Sequence, residues 1–194
     1  MKYAALPLLT LGLLFSQCAT KAPDPTPEPD YDQQSAQLMQ AVKPLVAGDW
    51  TLRRVFVARQ PLNVGQAMIG IKRDTVFQDF ATLSITPGPE RQPTPDLRYA
   101  DFEGTLRFRT KTYPVKFQLI ANPERVVEGT GPQAYFLLTT NHPIGSRPTE
   151  PEERFLEYIG LVNENFTLEA FPDQPRTITW RGLNRGISRI ELVK

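Results

Sequence analysis

A chain of 194 residues, 40% hydrophobic and 22% charged, is long enough for one domain with a sizeable core. Its formal charge is only +1, and it falls to neutral once a leader containing Lys2 is set aside. That balance excludes a general nucleic-acid binder, which needs a strong positive surplus or patch. The 19 prolines favour many short elements over long helices.

Met1-Lys2 followed by the apolar run Ala4 to Phe15 reads as a secretory signal over residues 1–17. The run is shorter than the roughly 20 apolar residues of a spanning helix. Cys18 is the single cysteine, so it cannot form an internal disulfide and needs another role. Leu14-Phe15-Ser16-Gln17-Cys18 resembles a bacterial lipobox. The resemblance implies cleavage before Cys18, lipidation of its thiol and a membrane partner reached through that lipid. Ala19 in place of an aspartate implies an outer-membrane destination in the cell envelope, with the periplasmic or outer face open.

Residues 18–31 then form a tether in which Pro23, Pro25, Pro27 and Pro29 alternate with polar residues. This is a semi-rigid spacer of about 3 Å per residue where extended. Residues 32–194 are expected to form a lead-in helix and a single β domain. Asp32 to Val46 carries a helical stripe of Ala36, Leu38, Met39, Val42, Leu45 and Val46. Asp30 or Asp32 is its candidate cap, and Pro44 is expected to end it near Val42 or Lys43.

From Trp50 the period is two. Trp50, Leu52, Arg54 and Phe56 fall on one face of the first strand, and Arg53, Val55 and Val57 on the other. Further strands are expected at Ala67 to Ile71, Val76 to Thr86, Leu97 to Lys111 and Tyr113 to Leu119. A short one comes next at Arg125 to Glu128, then others at Ala134 to Thr140, Phe155 to Val162, Phe166 to Phe171, Thr177 to Arg181 and Ser188 to Val193. Glu152 to Tyr158 also admits a helix, but the residues after Tyr158 favour strand. Turn signals every 8 to 12 residues, with no helical layer between strands, indicate an all-β antiparallel barrel, with a β-sandwich as the alternative.

Gly48-Asp49-Trp50 resembles the Gly-x-Trp motif that opens the first strand of lipocalins. The closing stretch Thr177-Ile178-Thr179-Trp180-Arg181 resembles small lipocalin-like lipoproteins of Bacteroidetes type. The resemblance implies an up-and-down barrel closed at one end by Gly48 and Trp50, with a basic residue, Arg181 or Arg189, over the indole. It also implies binding of a small apolar or amphipathic ligand.

Pocket candidates are Trp50, Phe56, Phe108, Phe117, Tyr135 and Trp180, rings that serve equally as plain core. Arg107, Arg109 and Lys111 alternate with apolar residues, either as a solvated outer face or as an anion-facing one, and Arg53 is a further candidate. His142 is the single histidine and lies in a polar loop near Ser146, without a nucleophile-elbow context. No metal, cofactor or catalytic set is expected. Two functional classes lead: a ligand-binding lipoprotein, or a filled barrel that meets an envelope protein or polysaccharide in a structural or inhibitory role; a third, an enzyme, would need convergent polar side chains in a cleft.

Overall fold

A computed structural model describes residues 30–89, 96–140 and 148–194. The expectations for the leader, Cys18, the tether, His142 and Ser146 lie outside the described residues. Helix α1 spans Tyr31–Val46. Asp30 caps it, its Oδ1 accepting the backbone N–H groups of Asp32 (3.0 Å) and Gln33 (3.1 Å). The helix runs through Pro44 rather than stopping before it. Burial of Val42 and Val46 outweighs the lost bond, and the freed end carbonyls find side-chain donors.

The strands are β1 (Gly48–Val57), β2 (Thr75–Gln78), β3 (Thr82–Pro87), β4 (Tyr99–Phe108), β5 (Lys111–Ala121), β6 (Ala134–Thr140), β7 (Glu164–Ala170), β8 (Thr177–Gly182) and β9 (Ile187–Val193). β2 and β3 pair with successive halves of β1, so they occupy one position in the sheet. Each remaining strand pairs antiparallel with the next, and β9 returns to β1. The result is an eight-stranded up-and-down antiparallel barrel preceded by a helix, not a sandwich, and it is consistent with a calycin-like fold in general.

Three segments expected as strands are helical. Helix α2 (Val64–Met68) replaces the strand at Ala67 to Ile71, because Asn63 caps it through Oδ1 to the Gln66 N–H (3.0 Å). Helix α3 (Pro123–Glu128) has Asn122 as its cap, proline in its first turn and Gly129 in the left-handed region at its end. Helix α4 (Pro151–Ile159) replaces the strand at Phe155 to Val162. It starts on a proline, has Glu152 and Glu153 in its first turn and stops at Gly160, φ 84°.

α1 lies across the end of the barrel where β1 starts, packing on β4, β5, β7 and α3. Its Asp32 is tied to Arg98 beside β4 (2.9 Å), and Arg98 also grips Asp96 (2.7 Å). α4 plugs the opposite end with buried Leu156 and Ile159. Its Phe155 ring lies against those of Phe108 (5.8 Å), Phe77 (5.9 Å) and Phe80 (6.4 Å).

Strand β1 contains the largest departure from simple alternation. Along the seam Leu52 pairs with Leu192, and Arg54 with Glu191, leaving Arg53 as an extra residue. The bulge is matched across the barrel wall, where the Asp79 and Phe80 N–H groups donate to the carbonyls of Arg53 (3.0 Å) and Leu52 (2.9 Å). Asp79 takes a positive φ of 44° and pairs with Arg53 (2.7 Å). Beyond the bulge the faces exchange, so Val55 points inward and Phe56 outward.

Candidate functional site

The interior of the barrel is packed with rings. Phe117 stacks on Phe102 (5.1 Å), lies 5.0 Å from Phe136 and meets Trp180 edge-on (6.1 Å). Phe136 and Phe166 also pack on Trp180, at 4.9 and 5.9 Å. Trp50, Phe108, Phe117 and Trp180 therefore do point inward, as part of this packed core. The Trp180 indole N–H has no partner there. Phe56 and Tyr135 do not join them. The bulge turns Phe56 outward, and Tyr135 alternates with inward Ala134 and Phe136.

The three basic candidates separate because a hairpin falls between them. Arg107 points outward from β4. Arg109 adopts φ 55° in the turn, its guanidinium 5.1 Å from the Phe108 ring and 5.9 Å from that of Phe155. Lys111 opens β5 and pairs with Glu150 (2.9 Å), which pushes the ammonium's pKa up.

Closure at the Trp50 end uses a different cation from either arginine named for it. The Lys194 ammonium sits 4.4 Å from the Trp50 ring centroid and donates to the carbonyls of Ala47 (2.8 Å) and Leu45 (3.5 Å). The Trp50 indole N–H donates to Val46 (2.8 Å). Gly48, at φ 129°, passes so close that a Cβ would lie 2.9 Å from the Lys194 Cε. The register explains the exchange. Thr51 faces Val193, so only the next residue reaches the indole, whereas Arg189 faces Phe56 further along the seam. Arg189 instead covers the Phe56 ring (4.2 Å) and pairs with Glu191 (3.0 Å). Arg181 faces Thr167 and pairs with Glu169 (2.8 Å), which raises its pKa.

An open concavity of about 540 Å³ lies over β4, β5 and β6. Its position follows from the β5–β6 ladder. Val115 pairs with Thr140 and Lys116 with Thr139 at one end, Ile120 with Tyr135 and Ala121 with Ala134 at the other. The ladder skips the three residues between on each strand, among them Phe117 and Leu137. There the edges of Phe117 and Phe102 reach the groove floor, beside outward-facing Ile120 and Leu137. The rim is polar, with Asp101 opposite Gln118 and Glu103 opposite Lys116 across the β4–β5 ladder. Gln118 donates to Asp101 (2.9 Å), and the Thr139 hydroxyl donates to the Lys116 carbonyl (3.1 Å).

An apolar floor with a rim of both charges suits an amphipathic molecule, and the lining includes no nucleophile–base pair. Phe117 is the one expected pocket residue that contributes to this groove. Ile120 and Leu137 were missed, although both occupy outward phases of strands whose other outward residues are largely polar. A smaller concavity of about 370 Å³ beside the Trp50 closure is lined by Arg107, Thr82, Thr105 and Lys194. Among the described residues no group of acidic, histidine or cysteine side chains is placed to hold a metal. No protein-family model matches this chain, and no curated protein and no solved structure matches it.

Proposed function

We propose that this chain is a non-catalytic, lipid-anchored protein of the bacterial cell envelope whose barrel binds a small apolar or amphipathic ligand on its wall, in the groove over β4, β5 and β6. One observation carries the reading: the interior is occupied by stacked rings, while the wall opens where the β5–β6 ladder is interrupted. The groove volume of about 540 Å³ falls in the range of small-molecule sites, roughly 300–1,000 Å³. The anchoring part of the proposal rests on the apolar leader followed by the single Cys18. The stacked interior also favours a second reading, a filled barrel that meets an envelope protein through its outer face.

The test is native mass spectrometry of the chain carrying Cys18→Ser, which lacks the proposed acylation site, purified from its host without detergent, alongside the same chain with Leu137→Arg. A co-purifying molecule absent from the variant is expected. Binding should also alter the emission of Trp180, whose ring meets Phe117 beneath the groove. A bare mass, together with Trp180 emission unchanged by host lipid extract, refutes the ligand reading and leaves the protein-partner reading.

A further inference from the structure

The segment joining β1 to β2 lies at the end of the barrel opposite α1 and takes no part in the wall. It is held by a buried polar clasp. Gln66 is fully enclosed, its Oε1 accepting the Gln60 N–H (2.8 Å) and its Nε2 donating to the Ala58 carbonyl (3.0 Å). The Ile71 N–H donates back to the Gln66 carbonyl (2.9 Å). Gly65 packs so close to Tyr158 of α4 that a Cβ would lie 2.8 Å from the ring, and Gly186 touches the Gln66 amide.

This scaffold holds apolar side chains out in water. Leu62 is 97% exposed, Val64 71% and Met68 66%, the last two one turn apart on the outer face of α2. Such a set costs solubility and adds nothing to the core, so a preorganised arrangement of it marks a contact surface. The flanks are basic, with exposed Arg59 on one side and exposed Lys72 and Arg73 on the other. Within the segment the acidic residue is Asp74, whose carboxylate is engaged by the Arg59 N–H (2.8 Å). Glu157 of α4 lies beside Asn63 and Gly65 on the shallow side.

We propose that this tip docks on an anionic lipid surface, with Leu62, Val64 and Met68 entering the headgroup–acyl boundary and Arg59, Lys72 and Arg73 meeting the headgroups. The protruding shape fits a bilayer, because the side chains stand clear as knobs rather than lining a groove. The basic flanks supply the charge complement. The tip lies at the opposite end of the barrel from Asp32, which is tied to Arg98, and its residues are not among those lining the wall groove.

The test uses the full chain carrying Cys18→Ser, which removes the acylation site, and Leu62→Cys labelled with a polarity-sensitive fluorophore. A matching Thr105→Cys label on the outer wall is the control. Vesicles of phosphatidylcholine with phosphatidylglycerol should blue-shift the Leu62→Cys label and leave the Thr105→Cys label unchanged. Phosphatidylcholine alone should shift neither. Lys72→Gln with Arg73→Gln should weaken the vesicle partition about thirtyfold, from about 1 kcal/mol per basic residue near the surface. Val64→Asp with Met68→Asp should abolish it while circular dichroism stays unchanged. The proposal is overturned by no shift on anionic vesicles, by an equal shift of both labels, or by a lipid-free shift that grows with protein concentration and so reports a second copy on the tip.

Discussion

Replacing Val55 by threonine and, separately, Phe56 by serine tests the bulge that sets the facing of the barrel's closing seam. Unbroken alternation from Trp50 puts Phe56 in the core and Val55 in water. The bulge at Arg53 does the reverse, with Val55 fully buried beside Ile190 and Phe56 on the outside beneath Arg189. Val55→Thr keeps the shape and buries a hydroxyl among aliphatic neighbours, at a cost of about 2 kcal/mol. With a urea slope of about 2 kcal/mol per molar, the midpoint falls by about 1 M. Phe56→Ser forfeits the guanidinium–ring contact, worth about 0.5–1 kcal/mol, and some half-buried area on the outer face, so its midpoint falls by about 0.5 M. In an unbulged strand Phe56→Ser would remove a core ring at a cost above about 3 kcal/mol, and Val55→Thr would lie within about 0.5 kcal/mol of neutral. Urea titrations of the two variants therefore rank in opposite orders under the two facings. A larger loss for Phe56→Ser than for Val55→Thr refutes the bulged seam.

Glu164 is almost wholly buried, its Oε1 accepting the Asn165 N–H (2.8 Å) and the Asn184 amide (3.0 Å) and its Oε2 lying 3.5 Å from Arg185. Arg185→Met should cost about 2 kcal/mol, read as a lowered urea midpoint, by leaving that carboxylate with hydrogen bonds but no cation. Gly104 packs so tightly that a Cβ would lie 2.5 Å from the Ser84 carbonyl oxygen, so Gly104→Ala should force β3 and β4 apart and lower the thermal midpoint. Burial pushes the Tyr113 phenol up, with Glu152, Glu153 and Glu150 adding to the effect. The unfolded chain then releases this proton first, at a pH of about 10. The stability it contributes is complete below that pH and is lost as pH climbs through the higher folded value. Stability should fall less steeply above about pH 10 in Tyr113→Phe than in the parent, as measured by alkaline urea titrations.

Local signals gave much of this fold directly. Ala134 to Thr140 is a strand with the same bounds in the sequence reading and in the structure, because alternation there is uninterrupted and turn residues flank it. The helices α2 and α4 were obscured by buried polar residues. In α4 the inward stripe is Glu153, Leu156 and Ile159, and a glutamate in that stripe breaks the apolar pattern that marks a helix. In α2 the inward residue is Gln66, while Val64 and Met68 face out, which inverts the usual sense of amphipathicity. Chain neighbours give no sign of the Arg53 bulge, since its cause is the seam partner Glu191 and the facing Asp79. The cation beside Trp50 was not legible, because identifying Lys194 requires the register of β9 on β1. The groove depends on a ladder interruption between two strands, and neither strand carries a glycine or proline at that point to announce it.

The seam that completes the barrel also imposes a wait. Arg54 and its seam partner Glu191 are separated by 137 positions, and every other strand lies between them in the chain. β9 is the last of the strands to emerge, whether from a ribosome or across a membrane, so closure waits on the whole of that interval. Throughout it β1 carries an unpaired edge, and the nascent sheet is an open ribbon with aromatic side chains on one face. Loop-closure entropy for so distant a pairing also slows the final step once β9 arrives. The finished barrel has no free edge at this seam, but the route to it keeps one exposed until the last strand is made, and a chain interrupted before β9 would retain it.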